Sequence, residues 1–372
     1  MPQRIGYHVR VFLFTLGHNI ELVGIEYPEG NDEVKKVVQL HRKIAPELIA
    51  IIEDRYNILR HVSYSQPIGR RALAQNLGVG ERMVRAQVDF LKNAGFLEFS
   101  PLGMTITSDG ERLLQEAEGY ISELHGLALL EADLAKQLGV KQVIIIPGDS
   151  NADVTVKREL GRAVVNVLGQ YMTANMVIAV SGGSTMAQVA EVVGLQAPLT
   201  TVVPARGGLG EQVEYQANII AAVIAAKLGG AYRLLHIPDG MSEEAVEVIL
   251  ANDANASHVI EMIQHADILI HGIGRAHDMA IRRSCDAPIA DEIVKRGAVG
   301  EALGYYCTLE GQCVYVTSSV GLRLDDLASI GLVIAVAGGQ KKAEAIVAVT
   351  SAGGQDVLVI DEAAANAIKA II

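Results

Sequence analysis

The chain has 372 residues, of which 50% are hydrophobic and 20% are charged, and its net charge is −12. This length exceeds one typical core, so we expect two domains of unequal size. The hydrophobic content indicates that most of the chain can fold, and no apolar run approaches the length of a membrane span or a secretory signal. We therefore expect a cytoplasmic protein that makes no contact with a membrane.

The cysteines and histidines predict neither a disulfide framework nor a metal site. Cys285, Cys307 and Cys313 show no Cys-x-x-Cys spacing, and an odd number of cysteines fits a reducing compartment. His271 and His277 lie near a predicted loop, but no third ligand accompanies them. We expect no metal and no cofactor.

Residues 1–36 are an extra N-terminal segment outside the pattern of the remaining chain. The apolar run at 11–14 is soon interrupted by His18, Asn19 and Glu21. Three interpretations stay open: a small additional element, a disordered tail, or the product of an upstream start codon.

Residues 37–110 predict a winged helix-turn-helix, the fold of many DNA-binding domains. Helical spacing of apolar residues is followed by a glycine turn and a further amphipathic helix, and two short apolar runs joined by Pro101-Leu102-Gly103 form the hairpin, or wing. The predicted helices span 45–62, 70–77 and 81–93, and the predicted wing strands span 96–99 and 104–107.

This small domain is locally basic although the whole chain is acidic. Five cations and two carboxylates between residues 70 and 92 give a local net charge of +3, a pattern typical of a basic reader attached to an acidic body. Arg82 and Arg85 are candidates for base edges or phosphates, and Arg70 and Arg71 for phosphates of double-stranded DNA. The alternative is a small helical domain with ordinary solvated arginines.

Residues 111–138 predict one long helical connector. Apolar residues recur at spacings of three and four, which is compatible either with the seam of a homodimer or homotetramer or with packing on the connector's own domain. These residues are Leu114, Ala117, Ile121, Leu124 and Ala128.

Residues 139–372 predict a larger domain of the Rossmann-like α/β class. Short β-branched runs alternate with alanine-rich helical segments, and this alternation indicates a parallel sheet covered by helices on both faces. The predicted strands span 143–146, 177–180, 200–203, 268–270, 333–336 and 357–360.

Loops after four of these strands carry groups that bind anions. The first is Ser181-Gly182-Gly183-Ser184-Thr185, where glycines, hydroxyls and a helix start together make a plausible phosphate cradle. The other three place cations beside glycines, and strand ends in open α/β sheets gather ligands at one edge. These cations are Arg206, Arg275 with Arg282 and Arg283, and Lys341 with Lys342.

Together the loops predict a small ligand with more than one phosphate, since such a ligand needs several charge-assisted contacts. Each loop also has a simpler explanation, because glycine pairs often serve only as turns and these cations could be solvated. The spacing fits neither a dinucleotide fingerprint nor a P-loop.

From residue 37 to the C-terminus the chain resembles the SorC family of sugar-responsive transcriptional regulators. The resemblance rests on motifs spread over both predicted domains, and residues 1–36 fall outside it. These motifs are PIGRR at 67–71, GMTIT at 103–107, VPARGGLGE at 203–211, HGIG at 271–274, EALGYY at 301–306, AVAGG at 335–339 and KAEAI at 342–346.

The resemblance implies a repressor of a glycolytic operon that fructose 1,6-bisphosphate releases, with an effector domain folded like sugar-phosphate isomerases and deaminases. In the family a threonine stands where this chain has Ser184, and the hydroxyl is kept. By this resemblance the ligand site comprises Gly182, Gly183, Ser184, Thr185, Arg206, Gln216, Arg282, Arg283, Glu301 and Lys342. Gln216 and Glu301 enter only through the resemblance, and Lys341 leaves open which lysine reaches the phosphate.

Two other functions are compatible with the sequence. A sugar-phosphate isomerase or deaminase would need a general base, for which Glu301 or Asp361 is available, but no acid/base pair stands out. A regulator that answers another phosphorylated sugar would use the same loops.

Overall fold

The computed structural model describes residues 30–207, 212–238, 240–282, 287–318 and 320–372. None of the helices in these ranges combines the length and apolarity needed to cross a lipid bilayer.

The N-terminal part is a winged helix-turn-helix, as the sequence predicts. Its elements in chain order are α1 (Gly30–Ile44), α2 (Pro46–Ser65), α3 (Arg70–Leu77), α4 (Glu81–Asn93), β1 (Leu97–Ser100), β2 (Gly103–Ile106), α5 (Ser108–His125) and α6 (Leu127–Leu138). Gly78 adopts a left-handed φ of 66° and ends α3, which allows the sharp turn into α4. Strands β1 and β2 pair antiparallel as the wing.

The helices α3 and α4 have the bounds that the sequence predicts, and their inner faces form the core of this domain. Leu73, Val84, Val88 and Leu91 are buried there, together with Met104 from the wing. The burial fixes which face of α4 remains outside.

The helices around this domain differ from the predicted division of the chain in two places. The predicted boundary at residue 36 falls inside α1, which packs its buried Val38 into the same core. The predicted single connector is two helices, because Gly126 adopts a left-handed φ of 67° between α5 and α6 and caps the end of α5. The candidate seam residues Leu114, Ile121 and Leu124 are buried within the chain's own N-terminal core, so the packing alternative describes them.

The C-terminal part begins at β3 and alternates strands with helices. Its elements in chain order are β3 (Gln142–Ile146), α7 (Val154–Tyr171), β4 (Val177–Val180), α8 (Ser184–Val192), β5 (Thr201–Pro204), α9 (Ala217–Leu228), β6 (Ala231–Tyr232), α10 (Glu243–Asn252), α11 (Ala254–Gln264), β7 (Ile268–Gly272), β8 (Gly274–Arg275), α12 (Ala276–Arg282), α13 (Ala287–Lys295), β9 (Gly300–Ala302), β10 (Tyr305–Cys307), β11 (Cys313–Val316), β12 (Leu332–Val336), α14 (Ala343–Ala352), β13 (Val357–Asp361) and α15 (Glu362–Lys369). Short 3-10 turns occur at Val213–Tyr215, Leu324–Ser329 and Gln340–Lys342.

The predicted parallel sheet is confirmed. Within the described ranges it has seven strands in the order β3-β13-β12-β7-β4-β5-β6, and every pairing is parallel. Apolar clusters cover both faces, so the central strands are buried runs of Val, Ile, Leu and Ala. The parallel direction brings the carboxyl ends of all these strands to one edge.

A second sheet, which the sequence analysis did not predict, is antiparallel with the order β11-β10-β9-β8. Its strands are two to four residues long, too short for a clear alternating pattern. Leu303 and Gly304 form a two-residue turn between β9 and β10, and both have positive φ, 51° and 85°. This turn holds part of the site described next.

Candidate ligand-binding site and DNA-binding face

The glycine loop after β4 lies where the sequence predicts, at the carboxyl edge of the sheet. Gly183 has a φ of 121°, a conformation that L side chains rarely adopt, and immediately precedes α8. Its N–H donates to the carbonyl of Tyr215 at 2.8 Å. Ser184 and Thr185 begin α8, so their hydroxyls and the first backbone N–H groups of the helix lie together at its positive end.

Gln216 stands beside this loop. It is the N-cap of α9, and a methyl group on Gly182 would lie 2.6 Å from the Tyr215 carbonyl oxygen and 3.3 Å from the Ala217 nitrogen. Gly182 therefore has to be glycine for the Gln216 segment to approach the loop after β4 so closely.

Lys157 joins the site although the sequence analysis did not select it. It projects from α7, and its Nζ donates to Ser184 Oγ at 2.9 Å. Burial lowers its pKa, and the charge of Arg282 lowers it further. Lys157 lies between Val156 and Arg158 of α7 and belongs to no motif, so only its position in the fold reveals it.

Lys342, at the start of α14, lies in the same electrostatic environment. Its Nζ donates to the Ile273 carbonyl at 2.8 Å, which ties the loop after β12 to the segment after β7. Burial lowers the pKa of Lys342 to about 8, and the nearby charges of Lys157 and Arg282 contribute to the shift. Three cations thus meet at one edge of the sheet.

The neighbouring Lys341 is exposed, whereas Lys342 is half-buried. Arg282 is exposed at the end of α12, and Arg283 lies outside the described residues. The geometry therefore favours Lys342 over Lys341 as the inward lysine.

The loop after β12 is held by a buried carboxylate. Asp361 Oδ2 accepts the N–H of Gly339 at 2.7 Å and that of Ser150 at 2.8 Å, and Asp361 Oδ1 accepts the N–H of Ala364 at 2.9 Å. A methyl group on Gly338 would lie 2.4 Å from Ser150 Oγ. Asp361, an alternative general base in the sequence analysis, thus accepts three backbone N–H groups and connects the loop after β12 to the segments at Ser150 and Ala364.

Arg206 and Glu301 meet at the Leu303–Gly304 turn. Glu301 is buried and accepts the Gly304 N–H at 2.6 Å. Arg206 is also buried, and its Nη2 donates to Thr317 Oγ1 at 3.0 Å. A methyl group on Gly304 would lie 1.5 Å from Arg206 Nη1, so the guanidinium occupies the space that this glycine leaves.

His271, next to these groups at the end of β7, is completely buried. Burial lowers the pKa of His271. The Gly272 carbonyl, which accepts a hydrogen bond from Nδ1, and the charge of Glu301 partly offset this shift.

Within the described ranges no three His, Cys, Asp or Glu side chains cluster to hold a metal ion. Cys307 and Cys313 are free thiols, and Cys285 is outside the described residues.

The four predicted arginines of the helix-turn-helix differ in their exposure and in their partners. Arg82 is exposed near the start of α4, and Arg71 has 92% of its side chain exposed. Arg85 is 60% exposed and lies 3.3 Å from Glu81. Arg70 instead pairs with Asp89 and lies 4.8 Å from the centre of the Phe99 ring, so it also braces the wing against α4.

Comparisons with known proteins place both halves of the chain. Residues 51–121 match the family described as CggR N-terminal DNA binding domain, and residues 122–369 match the sugar-binding domain family Sugar-bind. The chain is 43% identical over 338 residues to the central glycolytic genes regulator of Priestia megaterium, covering 90% of this chain and 98% of that protein.

Solved structures agree with the fold. A SorC family transcriptional regulator from Enterococcus faecalis is 38% identical, with a TM-score of 0.61 over 65% of this chain and 99% of that one. The full-length sorbitol operon regulator SorC from Klebsiella pneumoniae is 16% identical, with a TM-score of 0.58 over 92% of this chain and 99% of that one. The latter likeness concerns the fold alone.

A winged helix-turn-helix joined to a sugar-binding α/β domain defines a DNA-binding transcriptional regulator. The similarity to the Priestia megaterium regulator and that to the Enterococcus faecalis structure each extend over nearly the full length of the relative. The chain belongs to the SorC family of regulators and, within it, to the family of central glycolytic genes regulators.

Proposed function

We propose that the protein represses glycolytic genes and that fructose 1,6-bisphosphate, bound at the carboxyl edge of the large sheet, releases this repression. The observation that carries the proposal is the meeting of Lys157, Lys342 and Arg282 beside the glycine loop before α8. Like charges brought together and partly buried raise one another's free energy, and a phosphate dianion offsets this cost.

Two groups of side chains support a ligand with two ends. Ser184, Lys157 and Lys342 form one group, and Arg206 and Glu301 form the other at the Gly304 turn. The first group suits a phosphate. In the second, the guanidinium suits a further anionic oxygen and the carboxylate suits sugar hydroxyls.

In this proposal the protein acts in the cytoplasm. It assembles as a homodimer or homotetramer, because two-fold symmetric assemblies match pseudo-palindromic operators. Light scattering of the purified protein with and without operator DNA tests this assembly.

The decisive experiment is fluorescence anisotropy of labelled promoter DNA from a glycolytic operon, titrated with protein at fixed salt, with and without fructose 1,6-bisphosphate. We expect the sugar to weaken or rearrange the DNA complex. DNA binding that ignores the sugar would overturn the effector, and a panel of other sugar phosphates would then be tested. Absence of DNA binding would overturn the proposed role as a repressor.

We expect Arg206→Ala to abolish the response to the sugar while DNA binding persists, because Arg206 lies in the large domain at the Gly304 turn. Calorimetry of the variant with fructose 1,6-bisphosphate checks the assignment, and a thermal unfolding curve checks its fold. An unchanged affinity for the sugar would remove Arg206 from the site.

Turnover of a sugar phosphate is not favoured by the arrangement. Asp361 already accepts three backbone N–H groups, and Glu301 accepts that of Gly304. Incubation with fructose and glucosamine phosphates, followed by product analysis, tests for residual catalysis.

A further inference from the structure

Helix α7 touches both functional regions of the molecule. At its start, Asp153 caps the helix and pairs with two residues of α2: Arg60 Nη2 lies 2.7 Å from Asp153 Oδ2, and His61 Nε2 lies 3.3 Å from Oδ1. Helix α2 packs against α3 and α4 of the helix-turn-helix. The N-cap of α7 is therefore fastened to the scaffold that holds the DNA-binding face.

The carboxylate of Asp153 stays ionised in this contact. Burial opposes ionisation of Asp153, but hydrogen bonds with His61 and Thr155 and the charge of Arg60 outweigh it and hold the pKa of this carboxyl below its ordinary value. Arg60 is 4% exposed. Because Arg60 is buried and Asp153 partly buried, the pair has few alternative geometries, so we expect movement of one partner to displace the other.

A second contact lies one turn further along α7. Arg158 Nη1 donates to the Tyr64 carbonyl at 2.7 Å, and the Tyr64 hydroxyl donates to Glu159. The guanidinium of Arg162 lies 4.6 Å from the centre of the Tyr64 ring. Three side chains of α7, those of Arg158, Glu159 and Arg162, thus contact the end of α2.

Lys157 stands between these two contacts in the chain and points to the glycine loop, where it donates to Ser184 Oγ at 2.9 Å. The segment before α7 touches the other phosphate-side loop: Ser150 N–H donates to Asp361, and a methyl group on Gly339 would lie 2.0 Å from Asn151 Nδ2. A cavity of about 380 Å³ lies alongside, lined by residues of both domains that include His61, Asn76, Asp153 and Lys157.

We propose that Lys157 is a further phosphate-binding residue of the effector site and that α7 transmits occupancy of this site to the DNA-binding domain through Asp153 and Tyr64. The inference rests on the proposed function, since it concerns the same site. A bound phosphate draws the Lys157 ammonium from the Ser184 hydroxyl toward its own oxygens. The shift of α7 then moves the contacts with α2 on either side of Lys157.

The first test is calorimetry with fructose 1,6-bisphosphate on the full chain, comparing Lys157→Met with Lys136→Met. Lys136 is an exposed lysine on α6 and serves as the matched control for loss of one positive charge. We expect Lys157→Met to bind about 10- to 100-fold more weakly than the wild type, and Lys136→Met to bind like it. Equal affinities of the two variants would overturn the assignment of Lys157.

The second test measures transmission with Tyr64→Phe, which removes only the hydroxyl that bonds Glu159. The readout is the factor by which saturating fructose 1,6-bisphosphate changes the affinity for labelled operator DNA. We expect this factor to fall by about 3-fold or more, while the affinity of the DNA-free protein for the sugar changes less. An unchanged factor would overturn the role of α7 as the connection.

The outcomes separate this inference from the proposed function. If the wild type binds no fructose 1,6-bisphosphate, the proposed function fails and the inference fails with it. If the wild type binds the sugar and both variants behave like it, only the inference fails. Thermal unfolding of each variant shows whether lost binding reflects lost folding.

Discussion

Two adjacent lysines at residues 341 and 342 show how position rather than residue type determines chemistry. Lys341 is exposed, whereas Lys342 is partly buried and donates to the Ile273 carbonyl. Burial and the neighbouring cations lower the pKa of Lys342 to about 8. An anionic partner would therefore stabilise the charge of Lys342, whereas Lys341 remains exposed.

Replacement of Lys342 by methionine is expected to weaken binding of fructose 1,6-bisphosphate about 10- to 100-fold, since one charge-assisted contact is lost. Lys341→Met is the matched control and should bind nearly as well as the wild type. Isothermal titration of both variants decides between the two lysines. The opposite ranking would show that Lys341 is the phosphate ligand.

The same lysine predicts a pH dependence of ligand binding. The ammonium form attracts phosphate, and in the free protein it loses its proton as the pH rises through about 8. Affinity for fructose 1,6-bisphosphate should therefore fall between pH 7 and pH 9, and Lys342→Met should show a flatter profile over this interval. Equal slopes in the two proteins would argue against titration of Lys342.

Among the elements, the wing depends on a glycine at the point where its backbone approaches that of Ile68 closely. Gly103 has a φ of 140°, and a methyl group there would lie 2.8 Å from the backbone of Ile68. Ile68 and Met104 exchange backbone hydrogen bonds at this point. The wing is thus pinned to the segment that precedes α3.

Because of this approach, Gly103→Ala should destabilise the N-terminal domain by about 1–3 kcal/mol. Gly119, in the middle of α5, has open space around it and an ordinary φ, so Gly119→Ala should be neutral or slightly stabilising. Chemical denaturation followed by circular dichroism compares the two. Equal stability of both variants would show that the wing can move away from Ile68.

The inner face of helix α4 is fixed by burial, so its outer face is the one that we expect to contact DNA. Arg82 lies on the exposed side near the start of the helix, free of the Glu81 contact that engages Arg85. Arg82→Ala should lower operator affinity by about 1–3 kcal/mol. Arg296→Ala, on the large domain, is the control that removes an exposed arginine away from α4. Anisotropy at several salt concentrations measures both, and equal losses would point to a nonspecific charge effect.

At the scale of the whole molecule, His125 joins the two domains. Its Nε2 lies 3.0 Å from Glu53 of α2, and its Nδ1 lies 2.8 Å from Glu362 of α15. The hydrogen bond with Glu362 is the largest influence on the pKa of His125 and raises it; burial opposes this, and Glu53 adds to it. The charged imidazolium is thus favoured in the folded protein.

A raised histidine pKa stabilises the folded state fully below the ordinary value of 6.5 and loses this contribution as the pH rises through the higher folded value. The wild type should therefore lose more stability than His125→Asn between pH 6 and pH 8. The exposed His258 on α11 gives the control variant His258→Asn. Thermal unfolding across this interval checks the difference, and parallel profiles for wild type and His125→Asn would contradict it.

The sequence by itself determined the local elements and the class of the molecule. The bounds of α3 and α4, the wing and the parallel strands follow from apolar periodicity, glycine turns and β-branched runs, all of which act within a few residues. The loops at the sheet edge could be found because parallel strands bring their carboxyl ends together.

Only the tertiary structure decided which side chains meet. Lys157 joins Ser184, and His125 joins Glu53 to Glu362, across separations in the chain that leave no local pattern. Gly126 turned one predicted helix into two, because its left-handed conformation is favoured by packing of α5 and α6 on different domains. Short-range propensity specifies elements, whereas the partners of a buried charge depend on how those elements pack.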